Sequence, residues 1–215
     1  MKNLTLFNTK LGLRWNRFIR RLIYIPNKRK ELINTDFTLL CNNCTGGLIC
    51  HDLGLQFRSP TINLFFYSDH FIRFCENLDY YLHQELIPCK SPLHSPEIEY
   101  PVWSLGDLEL HFLHYNSFDE AKSAWDRRVA RINKNNLFIM WTFFDKTDES
   151  LLQRFEKLPY PNKVAFTEKP FPQYSSAFHI SGYPDGLGLL TAFDRLNGTQ
   201  KIDQFDYVAW FNQGK

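Results

Sequence analysis

The stretch from Phe37 to Phe66, FTLLCNNCTGGLICHDLGLQFRSPTINLFF, limits the fold more than any other part of the chain. A short apolar run, Phe37 to Cys41, stops at a polar loop, Asn42 to Gly47. Apolar residues then return at helical intervals as Leu48, Ile49 and Leu53. Strand, tight loop and helix in that order open an α/β unit, with the loop at the carboxyl edge of a sheet, where ligands bind in such folds.

Units of the same kind follow. Thr61 to Phe66 reads as a second strand behind Arg58-Ser59-Pro60, because proline forces an extended entry. Ser68-Asp69 can cap a helix over His70 to Gln84, and four prolines from Pro88 to Pro101 mark a surface loop. Val102 to Tyr115 alternates as one strand, with Leu108, Leu110 and Phe112 on one side and Asp107, Glu109 and His111 on the other. The same alternation sends His111 and His114 to opposite faces. Ser117, with Glu120 three residues on, opens a helix to Asn133. Leu137 to Phe144 is a continuous apolar run suited to a central strand. Thr147 or Asp148 caps a helix to Lys157, Lys163 to Thr167 is a strand, Ala177 to Ile180 an edge strand, Gly182 to Gly188 a loop, and Phe205 to Phe211 docks on the core. Strands alternating with helices predict a three-layer α/β domain with a largely parallel central sheet, spanning 34–215.

Ahead of that domain, residues 1–33 read as a basic amphipathic N-terminal helix that Pro26 ends. Leu11, Trp15, Phe18, Ile19, Leu22 and Ile23 fall near one face and Arg14, Arg17, Arg20 and Arg21 mostly on the other. Nine basic residues against one acid give residues 1–31 a charge of +8 and leave −6 on the remainder of a chain whose total is +2. Such a helix suits an anionic membrane surface, and equally suits packing on its own domain. An acidic remainder without a recognised module excludes nucleic acid as a partner. Five cysteines, an odd number with three crowded into one unit, point to a reducing cytoplasm rather than a secreted disulfide framework. No apolar run approaches the roughly 18 residues of a membrane span.

The Asn42–Gly47 loop is the first candidate site. Gly46 and Gly47 let backbone N–H groups approach a ligand, the helix start favours negative charge, and Asn42, Asn43 and Thr45 add hydrogen-bonding groups, so a phosphate or carboxylate fits. A plain strand-to-helix turn uses the same glycines. Arg128 and Arg131, three apart on one helical face, can clamp the same anion, with Arg58, Ser59 and Asp145 as further ligand-facing candidates. Cys44 at the helix mouth is a candidate nucleophile, His111 or His114 its base, and Asp107, Glu109 or Asp145 the group that orients the base. Cys41-x-x-Cys44 permits a redox reading, although its first cysteine lies in the strand. Asp107, Glu109, His111 and His114 have the side chains of a metal site, but strand alternation separates the two histidines, so no metal is expected; the pattern specifies no cofactor.

The segments NNCTGGLICHDLGLQFRSPTINLFF and LGDLELHFLHYNSFDEAKSAWDRRVARINKNNLFI resemble a bacterial domain-of-unknown-function family whose members are labelled exopolysaccharide biosynthesis proteins. The resemblance runs from about Phe37 to Phe211 and implies a role in surface-glycan or capsule production. With the loop chemistry, it points to a transferase or modifying enzyme holding a sugar nucleotide or lipid phosphate. Asn43, Cys44, Leu53, Gly54, Leu55, Ser59 and Pro60 are also similar to a group described as papain-like cysteine peptidases, which implies a hydrolase or acyltransferase using Cys44. A non-catalytic glycan-binding or scaffold protein is the remaining alternative.

Overall fold

The apolar runs at 38–41 and 137–142 become the centre of the molecule because each is buried on both faces. The computed structural model describes residues 9–89, 100–143, 147–183 and 190–214. In it β1 (Thr38–Cys41), β5 (Leu137–Thr142), β6 (Lys163–Thr167) and β7 (Ala177–His179) form a parallel sheet in the order β1-β5-β6-β7. The register sets Cys41 beside Met140 and Thr142 beside Phe166. Alternate side chains leave the sheet in opposite directions. Leu40, Ile139, Trp141 and Ala165 enter one core with α4 (Ser68–Glu76), α6 (Phe118–Val129) and α7 (Glu149–Glu156). Leu39, Cys41, Phe138, Met140 and Phe166 enter the other with α3 (Cys44–Leu53) and α8 (Tyr207–Gln213). Two cores on two faces of one sheet make the three layers.

The segment expected as a second strand, Thr61 to Phe66, is instead a turn followed by a single bridge, Phe65 to His111. Asn63 adopts a left-handed φ of 62°, which breaks an extended run. The edge of β1 is satisfied without a strand: Cys41 N donates to Thr61 Oγ1 at 3.0 Å and Phe66 N to the Asn42 carbonyl at 2.9 Å. Phe65 and Phe66 thereby join the parallel sheet to a second one.

That second sheet is an antiparallel meander of β2 (Leu86–Pro88), β3 (Val102–Leu105) and β4 (Leu108–His111). The single strand expected over Val102 to Tyr115 folds back on itself because Gly106, at φ 61°, makes a tight turn there. The helix expected from His70 to Gln84 is divided at Asn77, whose φ of −131° and ψ of 46° separate α4 from α5 (Leu78–Leu82). Ser68 opens α4 from inside rather than capping it, and its hydroxyl accepts from Trp141 Nε1 at 3.2 Å. Ser117 caps α6 through Glu120 N at 3.2 Å, and Asp148 caps α7 through Ser150 N at 2.9 Å.

The basic segment does not end at Pro26. Helix α1 (Lys10–Ile19) runs through a π turn at Arg20–Tyr24 into α2 (Ile25–Glu31), the wider turn accommodating a proline that lacks an N–H. It docks by polar groups. Arg20 is buried against Asp52 at 2.9 Å and Asp203 at 2.7 Å, Asn16 Oδ1 accepts from Gly198 N at 3.0 Å, and Arg29 Nε donates to the Asp52 carbonyl at 2.7 Å. Among the described residues no helix is long and apolar enough to cross a membrane.

On the far edge, Glu156 at the end of α7 accepts from the N–H and hydroxyl groups of Ser175 and Ser176, which fixes the entry to β7. Burial pushes its carboxyl up, but these donors together outweigh that and hold it down at about 2, against an ordinary 4.5. A depressed carboxylate contributes stability in full above the ordinary value and loses it as pH falls through the depressed one. Glu156→Gln is therefore expected to lower the urea midpoint at pH 7 and to flatten its decline between about pH 4.5 and about pH 2. Parallel declines for the two proteins would remove Glu156 from the acid response.

Candidate functional site

The site begins with two asparagines that end β1. Asn42, fully buried, is clamped to β5: its Oδ1 accepts from Thr142 N at 3.0 Å and its Nδ2 donates to the Thr142 carbonyl at 2.8 Å. Asn43 caps α3, its Oδ1 accepting from Thr45 N at 3.0 Å while its Nδ2 donates to Thr142 Oγ1 at 2.5 Å. Thr142 thus sets both residues before the helix, a role its place in an apolar run gave no sign of. Gly46 lies so close to β1 that a Cβ would stand 2.7 Å from Cys41 Cβ. Its smallness brings helix and strand together and fixes the position of Cys44, the first residue of α3.

Cys44 Sγ lies 3.1 Å from His114 Nε2. The thiol is half-buried and the imidazole exposed. β4 ends at His111, and the turn through Leu113 and His114, closed by Tyr115 N donating to the Phe112 carbonyl at 3.1 Å, carries His114 out of the strand alternation. Arg128 holds that turn in place. Its Nη1 donates to Tyr115 Oη at 2.5 Å and to the Ile62 carbonyl at 2.8 Å.

His111 is not brought to the thiol by any described contact. It is fully buried, with Nε2 2.7 Å from Glu109 Oε1 and Nδ1 3.2 Å from Tyr100 Oη. The polar face read from the sequence does hold Glu109 and His111 together, but inside the protein. Asp107 is engaged by Arg73 and by Tyr81 Oη. Arg58 pairs with Asp36 at 3.2 Å, and buried Ser59 Oγ lies 3.0 Å from Thr61 Oγ1. Arg131 sits half-buried two residues beyond α6. Thr45 is buried, with no partner for its Oγ1 among the described residues. Gly47 packs toward Ile62, where a Cβ would meet Cγ2 at 3.3 Å. Asp145, the prolines between 90 and 99 and most of the Gly182–Gly188 loop lie outside the described residues.

The electrostatics of the two cysteines differ. Burial pushes the Cys41 thiol up to about 11, and its Sγ faces Asn43 Oδ1 at 3.6 Å beneath the helix. Burial also raises Cys44, but less completely, and among the described residues it is the cysteine with an imidazole against it. The first-turn N–H groups of α3 lack intrahelical acceptors, so the helix start favours negative charge beside the sulfur. All five cysteines are free thiols. Among the described residues no group of three or more His, Cys, Asp or Glu is placed to hold a metal ion.

Parallel strands, a strand-to-helix turn at the sheet's carboxyl edge and a thiol against an imidazole define a three-layer α/β protein with a candidate Cys-His centre. The chain belongs to the family described as "Domain of unknown function (DUF1919)", whose sequence profile matches residues 15–212. It is similar to an "Uncharacterized protein" of Haemophilus influenzae, with 42% identity over 186 residues that cover 86% of this chain and 88% of the relative.

Proposed function

We propose that the chain is a cysteine-dependent acyl-transfer enzyme, a hydrolase or acyltransferase, with Cys44 as nucleophile and His114 as general base. The observation that carries the reading is the 3.1 Å contact between Cys44 Sγ and His114 Nε2, made by residues 70 apart in sequence. Because burial raises the thiol, Cys44 rests protonated, and His114 takes its proton as attack begins.

Cys44 Sγ forms a bond to the acyl carbonyl carbon while its proton passes to His114 Nε2. The charge that develops on the carbonyl oxygen is met by Cys44 N at the start of α3, since Thr45 N is held by Asn43 Oδ1. Collapse breaks the bond to the leaving group, which takes the proton from His114. Water or a hydroxyl acceptor then cleaves the thioester, releasing an acid or a transferred acyl group and restoring the thiol.

The sequence resemblance supports a surface-glycan precursor as the natural substrate, and the five free thiols support a cytoplasmic location. A glycan-assembly transferase that holds a sugar nucleotide or lipid phosphate is the second reading. The α3 start favours it, whereas Asn42, Asn43 and Arg128 are already engaged within the protein. Incubation with p-nitrophenyl acetate tests the first reading: a burst of p-nitrophenolate and an acetyl adduct mapped to Cys44 are expected. A protein that takes up no acyl group at Cys44 would return the choice to the glycan transferase or to a non-catalytic glycan-binding scaffold.

A further inference from the structure

The N-terminal helix is docked with its polar side inward. Asn16 and Arg20 are buried, while Leu11, Trp15, Phe18 and Leu22, at intervals of four, three and four, form one stripe on the outside. They are 78%, 51%, 54% and 56% exposed, an unusual inversion for apolar side chains on an ordered helix. At 100° per residue Lys10, Arg14, Arg17 and Arg21 run along one flank of that stripe. All four are exposed and make no ion pair among the described residues. Beside them lies an open cavity of about 740 Å³, whose walls include Arg17, Arg21, Arg29 and His51.

We propose that this face of α1 and α2 is a docking surface for an anionic lipid bilayer, with the apolar stripe in the headgroup boundary and the arginine flank and cavity against lipid phosphates. Charge selects the occupant. A helix contacting another protein core has no need of four unneutralised cations along the stripe, whereas an anionic interface attracts each of them. Lipid docking by this face does not depend on chemistry at Cys44. Should that chemistry hold, Leu48 and His51 on the cavity wall belong to the helix that Cys44 opens, so α3, about 15 Å long, links the thiol to the lipid face.

The test is co-sedimentation of the full chain with phosphatidylcholine vesicles, with and without phosphatidylglycerol. Raising salt from about 0.01 M to about 1 M shortens the Debye length from about 30 Å to about 3 Å. Pelleting with anionic vesicles only, lost at least tenfold at high salt, is expected. Leu11→Ser/Phe18→Ser/Leu22→Ser and, separately, Arg17→Glu/Arg21→Glu are each expected to leave the melting temperature in place and abolish pelleting. A full chain that stays in the supernatant with anionic vesicles at low salt would overturn the proposal. So would a dimer in light scattering that the serine variant makes monomeric, because a second copy would then cover the stripe.

Discussion

Replacing Cys44 by alanine is expected to abolish the burst from p-nitrophenyl acetate, and replacing His114 by asparagine to slow acylation by about 10²–10⁴, equivalent to about 3–5 kcal/mol of barrier. The two changes remove different things. Without sulfur there is no atom to carry the acyl group. Without the imidazole the thiol remains but must lose its proton to water, which burial makes harder by raising it above its ordinary value. Cys89→Ser is the control, because Cys89 is the other thiol that is not fully buried and no imidazole is found against it among the described residues. Burst amplitudes that survive Cys44→Ala, or follow Cys89, would dismiss the Cys44 mechanism. Arg128→Met probes positioning: Tyr115 loses its donor, and acylation should slow while Cys44 stays alkylatable by iodoacetamide.

Strands β1, β5 and β6 were legible because they are buried on both faces and therefore read as apolar runs. Helix starts were legible where one short side chain decides them, at Ser117 and Asp148, whereas the polar loop expected over Asn42 to Gly47 ends at Asn43, which caps a helix already begun at Cys44. What escaped were features in which a side chain substitutes for backbone pairing. Thr61 completes the edge of β1 through its hydroxyl, so Thr61 to Phe66 carries a strand's composition without forming one. Gly106 lies inside the segment whose alternation reads as one strand, and it is the turn between two.

At the site, Cys44 and His114 were legible as residue types, but alternation assigned His114 a strand position it does not occupy. Their meeting depends on where the turn after β4 falls, which Arg128 of α6 sets by holding Tyr115 at the turn's end. In the basic segment, periodicity found the apolar stripe correctly and then left open whether it faced inward. The answer lay in Arg20, indistinguishable by sequence from its three arginine neighbours, because its partners Asp52 and Asp203 stand 32 and 183 residues away.

Arg20→Ala is accordingly expected to destabilise the protein by about 3–5 kcal/mol, the range for removing one member of a buried ion pair and leaving the other charged. Arg20 is 6% exposed, donates from Nε to Asp52 Oδ2 at 3.0 Å, from Nη1 to Asp203 Oδ2 at 2.7 Å and to the Gly198 carbonyl at 3.3 Å, and stacks over Tyr24 at 4.9 Å. Burial alone would pull its guanidinium down, yet Asp203 with Asp52 raises it, so the charged form is the one the site was built around. Alanine leaves the Asp203 carboxylate, 2% exposed, without its cation. At about 2–4 °C per kcal/mol for a chain of this size, the melting temperature should fall by about 10 °C. Arg20→Lys keeps the charge but not the fork that reaches two carboxylates, so an intermediate loss is expected. Because this residue fastens the helix to α3 and to the segment around Asp203, the same variant should expose Arg17 and Arg21 to trypsin well before the sheet unfolds. Denaturant midpoints within about 1 kcal/mol of the parent, with unchanged tryptic cleavage, would mean that the helix is held by Asn16, Lys28 and Arg29 instead.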